Sequence, residues 1–123
     1  MKESIIREKS FRFAVRIVKL CKFLKDEKKE FDISKQFNRA GTSIGANVRE
    51  ADRAVSKKDF ANKIGIALKE AYECEYWIEL LFATDYLIET EYQSMKDDCG
   101  EINRILLAIS KAACNTLSST SND

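Results

Sequence analysis

No histidine occurs among the 123 residues, and no proline. Without histidine the commonest general base is missing, together with every Ser–His or Cys–His nucleophile. The four cysteines, Cys21, Cys74, Cys99 and Cys114, stand far apart with no CxxC pair. Zinc sites draw on closely spaced Cys and His ligands, so no metal and no other cofactor is expected. Cys21 sits on an apolar helical stripe and Cys74 beside one, where the thiol serves as a small core group. With no proline and four glycines, long helices are unobstructed and hairpin signals are scarce. No apolar run approaches the roughly 18 residues of a membrane span. The opening MKESIIREKS lacks a signal-peptide core, so the cytoplasm is the expected location and no membrane contact is expected.

What the chain does contain is helical periodicity. Apolar residues at 45% and charged ones at 33% suit one globular domain of this length. Ile6, Phe13, Ile17, Leu20 and Leu24 stripe a first helix, expected over about residues 4–28; Phe11, Val15 and Val18 add a second apolar line. Ile33, Phe37, Ala40, Ile44, Val48, Ala51 and Val55 stripe a second, over 33–55. Ser56-Lys57-Lys58-Asp59 has the form of a capped helix start. The third helix then runs over 57–87, on a seam of Phe60, Ile64, Ala67, Leu68, Ala71, Ile78 and Phe82. Its other sides carry Tyr72, Tyr76, Trp77, Leu80 and Leu81, and a helix apolar nearly all round calls for a partner chain. Thr90 to Gln93 offers another capping box, opening a fourth helix over 91–117 with a frayed tail at 118–123. Four helices on short connections make an all-α, antiparallel up-down-up-down four-helix bundle spanning residues 1–123 as a single domain.

Beside the seam of helix 2 runs a polar line, Arg39, Ser43 and Asn47, with Glu50 three further on. Glu75 interrupts the seam of helix 3, and an unpaired buried carboxylate would cost several kcal/mol. With a turn near Ser56, helix levels match where residue numbers sum to about 113. That pairing predicts an Arg39–Glu75 ion pair, with Ser43 and Asn47 satisfying other groups of the layer. Such a layer fixes helix register, or else lines a ligand site. The absence of histidine, a phosphate loop and a metal-ligand set favours the first. Gly41 and Gly45 would let another helix come close. A hydrolase or transferase acting through Glu50 or Glu75 would need an open pocket around a carboxylate of raised pKa.

The net charge of +1 hides a division. Residues 1–58 hold 16 Lys/Arg against 8 Asp/Glu, whereas residues 59–123 hold 5 against 12. Lys9, Arg12, Arg16 and Lys19 share a face of helix 1; Lys35, Arg49 and Arg53 lie outward on helix 2, and Lys57 and Lys58 add a positive corner. Three accounts fit: a phosphate-backbone footprint, head-to-tail assembly of basic and acidic halves, or an unevenly charged solvated surface.

Gln36 to Ala51, QFNRAGTSIGANVREA, followed by Ile66 to Leu81, IALKEAYECEYWIELL, resembles the family of 23S ribosomal RNA intervening-sequence proteins. The family's RA-x-x-SI-x-x-N-x-x-E pattern falls on Arg39, Ala40, Ser43, Ile44, Asn47 and Glu50. Gly45 stands where a proline is frequent, and Ala51 where glycine is usual. The resemblance implies a four-helix bundle similar to the accessory variability protein of diversity-generating retroelements, hence a ring-forming homo-oligomer, five copies by analogy, that binds nucleic acid. The expected protein is therefore not an enzyme and has no small-molecule substrate. It contacts RNA or DNA through Arg12, Arg16, Lys19, Arg49, Arg53, Lys57 and Lys58. The alternative is a protein–protein scaffold that touches no nucleic acid.

Overall fold

The computed structural model describes residues 2–121, and side chains from Ile5 to Ser118. Four helices take up nearly all of them: α1 Lys2–Lys28, α2 Asp32–Asp52, α3 Lys57–Ala83 and α4 Glu89–Ser121. Each packs on its neighbours in sequence, and α1 and α4 close the square. Among the described residues no Cα atoms of diagonal helices come within 8 Å, and the α1–α4 side is the least closely packed. No described helix is long and apolar enough to cross a membrane.

The core is one cluster in which Ile6, Phe13, Ile17, Phe37, Ile44, Ile64, Ile78, Leu81, Ile102 and Leu106 are shut off from solvent. On α3 the buried seam is Ile64, Ala67, Ala71, Cys74, Ile78 and Leu81, alternating steps of three and four. Cys74 thus takes the core position that the sequence pattern gave to Glu75, which is half-buried on the side facing α4.

The helix ends have local causes. Ser56 caps α3, its hydroxyl accepting the Asp59 N–H at 3.0 Å, while the Asp59 carboxylate accepts the Val55 N–H. α3 stops at Ala83, short of the expected residue 87. Asp85 turns to φ 70°, and the N–H groups of Asp85 and Tyr86 reach back to the Phe82 and Leu81 carbonyls, a Schellman closure. α4 starts two residues earlier than expected because Glu91, not Gln93, supplies the box; its carboxylate accepts the Ile88 N–H at 3.1 Å. α4 also runs on to Ser121, so most of the expected frayed tail is helical. α2 ends at Asp52 with Arg53 as its cap, leaving Val55 almost fully exposed in the turn.

At the start of α2, Glu30 folds back over the helix end and accepts the N–H groups of Ile33 at 3.1 Å and Ser34 at 2.7 Å. The close approach of α1 falls at Gly41. A Cβ there would stand 2.9 Å from Ile17 Cγ2 and nearer still to Cδ1. Gly45 sits more loosely: a Cβ there would stand 3.5 Å from the Ser10 hydroxyl.

Candidate nucleic-acid interface

The cations of the basic half have two fates. On α1, Arg16 pairs with Asp98 of α4 and donates to the Ser94 hydroxyl at 3.0 Å, while Lys9 pairs with Glu101 at 3.1 Å. The two ion pairs, with Arg12, Phe13 and Ile102, line a cavity of about 360 Å³ on the α1–α4 seam. Arg12 is bonded to Glu8 one turn back, at 2.9 Å. Much of the basic face expected on α1 is therefore engaged within the chain itself.

Others stand free. Arg49 in the last turn of α2, Arg53 at its cap, and Lys57 and Lys58 in the first turn of α3 are all exposed. None of the four has an ion-pair partner among the described residues, and neither does Lys19 on α1. All four flank the turn at residues 53–56 at the α2–α3 end of the bundle, Arg49 on the side of α1, and Lys57 and Lys58 beside the C-terminal part of α4. Arg49 makes one further contact: its guanidinium lies 5.3 Å from the centre of the Phe11 ring. The carboxylates among these residues have other partners: Glu50 is held by Lys63 at 3.0 Å, Asp52 by Arg7 at 3.8 Å, and Asp59 accepts the Val55 N–H. The contact with Glu50, above all its hydrogen bond, holds the Lys63 ammonium above its ordinary pKa.

The polar line on α2 faces α3, but with partners other than the expected one. Arg39 bonds Glu70 at 2.8 Å and Glu73 at 2.5 Å. These two carboxylates lie at the level expected for the antiparallel hairpin but on the α2 flank of α3, whereas Glu75 points to Lys96, Asp97, Gly100 and Arg104 of α4. The Arg39–Glu75 pair does not form. Ser43 and Asn47 do not bridge the layer either: the hydroxyl of Ser43 donates to the Arg39 carbonyl and the amide of Asn47 to the Ser43 carbonyl, both within α2. Trp77 completes the real cluster by donating its indole N–H to Glu73 at 3.0 Å. Desolvation alone would push the Glu73 carboxyl up, but the bonds from Trp77 and Arg39 outweigh it and hold it down. The hydrogen bond that Arg39 donates to Glu73 is the main cause that raises the arginine's own pKa.

The thiols are inert where buried. Burial pushes Cys21 up to about 11 and Cys99 to about 12, and Cys74 higher again. Among the described residues, no three His, Cys, Asp or Glu side chains come together as a metal site.

The sequence pattern of the 23S rRNA-intervening sequence protein family matches residues 2–108. Among solved structures, the chain is similar to a protein of unknown function from the S23 ribosomal protein family of Bacteroides thetaiotaomicron VPI-5482, with 56% identity and a TM-score of 0.88. That match covers 90% of this chain and 99% of the other. Comparison with curated proteins finds no match. On the extent of both matches, this chain belongs to the 23S rRNA-intervening sequence protein family.

Proposed function

We propose that this protein is a non-catalytic, homo-oligomeric bundle that binds the phosphate backbone of RNA or DNA through the α2–α3 corner. The observation that carries this reading is the exposed group Arg49, Arg53, Lys57 and Lys58, uncompensated while other cations of the basic half are paired inside the chain. A phosphate lattice rewards such free cations, each neutralised phosphate releasing counterions. Lys19 adds to this surface; Arg12 and Arg16 join it only by leaving Glu8 and Asp98. The family description refers to 23S rRNA and the solved relative to a ribosomal protein family, which makes RNA the first ligand to try. Self-association draws support from the outer face of α3, where Tyr72, Tyr76 and Ile66 are exposed and no described helix covers them. A closed ring, of five copies by the resemblance, is the assembly we propose.

The same outer face of α3 favours a second reading, a scaffold that docks proteins and no nucleic acid. Salt separates the two, since phosphate contacts weaken steeply with ionic strength and an apolar interface does not. The test is binding of single- and double-stranded RNA and DNA across a salt series, for the wild type and Arg53→Glu/Lys58→Glu, with oligomeric mass recorded alongside. Salt-sensitive binding lost in the variant at unchanged mass supports the nucleic-acid reading. An oligomer that binds nothing at low salt supports the scaffold.

A further inference from the structure

Phe11 is 54% exposed on α1, and Val15 and Val18 continue its apolar row along the next two turns, also exposed. No described helix covers this row. Its borders are positive: Arg12, Lys19 and Lys22 are exposed on α1, and Arg49 leans over the Phe11 ring from α2. The two carboxylates on this side are already held, Glu8 by Arg12 at 2.9 Å and Asp52 by Arg7 at 3.8 Å. From Arg49 the unpaired cations go on to Arg53 one turn later, and then to Lys57 and Lys58. An exposed aromatic ring therefore stands against one free cation, Arg49, with three more following it in the chain around the α2–α3 turn.

We propose that Phe11 and Arg49 form a stacking step for one unpaired base, which makes the ligand of the α2–α3 corner single-stranded nucleic acid. This rests on the phosphate-binding reading above. A duplex keeps its bases stacked inside and presents phosphates, so an apolar ring beside the track gains nothing from it. An unpaired base offers a π face that covers the ring. Arg49, held beside that ring in the free protein, is the cation placed to meet the phosphate of the same nucleotide. The remaining cations take the neighbouring phosphates, which gives affinity without sequence preference.

The test is anisotropy with a labelled, unstructured 12-nucleotide RNA and a 12-base-pair RNA duplex on the wild type, Phe11→Ala and Phe11→Trp, together with oligomeric mass. Phe11 is surface-exposed, so neither substitution removes core. Phe11→Ala should weaken single-strand binding about tenfold or more while duplex binding and mass stay as in the wild type. Phe11→Trp should keep single-strand binding, and its emission, taken as the difference from wild type to remove Trp77, should be quenched as RNA saturates. Equal weakening of single strand and duplex, or no change in either, overturns the stacking step. A fall in mass overturns it too, since a second copy then covers Phe11. If Arg53→Glu/Lys58→Glu abolishes binding and Phe11→Ala changes nothing, the phosphate reading stands and the stacking step alone falls. A wild type that binds neither RNA overturns both.

Discussion

One methyl group separates the expected behaviour of the two glycines of α2. Alanine is favoured over glycine inside a helix by about 1 kcal/mol. At Gly41 the new Cβ would be driven into Ile17, a fully buried side chain held by the core, and overpacking of this kind costs roughly 1–3 kcal/mol. At Gly45 the nearest atom, the Ser10 hydroxyl at 3.5 Å, is in ordinary contact distance. Gly41→Ala should lower the urea midpoint and Gly45→Ala should hold or raise it at unchanged m-value. Equal midpoints would refute the close α1–α2 crossing at Gly41. Glu30 makes a second residue-scale prediction. Desolvation pushes its carboxyl up, but the N–H groups of Ile33 and Ser34 more than offset this and hold it below the ordinary 4.5. A carboxylate depressed in the fold stabilises fully above the unfolded value and loses that contribution as pH falls through the folded one. Glu30→Gln should therefore cost about 1 kcal/mol near pH 7 and approach wild-type stability near pH 3. A constant difference across that range would mean that charge is not what Glu30 contributes. The thiols supply a cheaper check: Cys114 is exposed and the other three are buried, so one thiol of four should react promptly with an aromatic disulfide in the native protein.

For the helices as elements, the decisive contact is Arg39 of α2 with Glu70 and Glu73 of α3. Glu70 is 9% exposed, so truncating Arg39 leaves a mostly buried carboxylate without its cation. Half of the arginine side chain is in solvent, which screens the pair and limits the cost of Arg39→Met to about 1–2 kcal/mol. Adding Glu70→Gln should recover part of the loss in a double-mutant cycle; strictly additive losses would show that the pair carries no coupling. The level of this contact was legible in the sequence, since the turn at Ser56 sets which residues of an antiparallel hairpin lie abreast. Its face was not. α3 is apolar on nearly every side, so two seams one residue apart fit its periodicity almost equally well. A seam through Phe60, Ile64 and Phe82 draws Glu75 into the core, whereas the seam through Cys74 and Leu81 sends Glu75 toward α4 and brings Glu70 and Glu73 to Arg39. Only packing against α2 and α4 breaks that tie. The helix starts were easier where capping chemistry is unambiguous, as at Ser56. They were harder at α4, where acids and amides at neighbouring positions offer two overlapping boxes.

Across the whole molecule, the charge division legible in the sequence turns out to be spent partly inside the chain. Arg16–Asp98 and Lys9–Glu101 set basic α1 against acidic α4, and Arg39 sets α2 against α3. Composition shows the two halves, but which cations stay free depends on register along the α1–α4 seam, the least closely packed side of the bundle. That seam yields the broadest prediction. Asp98 and Glu101 occupy Arg16 and Lys9, which otherwise share the face of α1 with Arg12 and Lys19. Both ion pairs are substantially solvent-exposed, so removing the acids should change stability by no more than about 1 kcal/mol each. Asp98→Asn/Glu101→Gln should therefore leave the fold intact and release two cations toward a phosphate backbone. If nucleic acid extends across α1, the slope of log K against log salt should steepen by roughly 0.9 for each released cation that meets a duplex phosphate. The control is an equal change of charge at Glu79 of α3 and Glu89 of α4, exposed carboxylates outside the seam. It should shift affinity slightly and leave the slope alone. The same shift in both variants would mean that only net charge matters. A steeper slope confined to the seam variant would mean that the acids of α4 hold cations of α1 away from the ligand, confining the free protein's footprint to the α2–α3 corner.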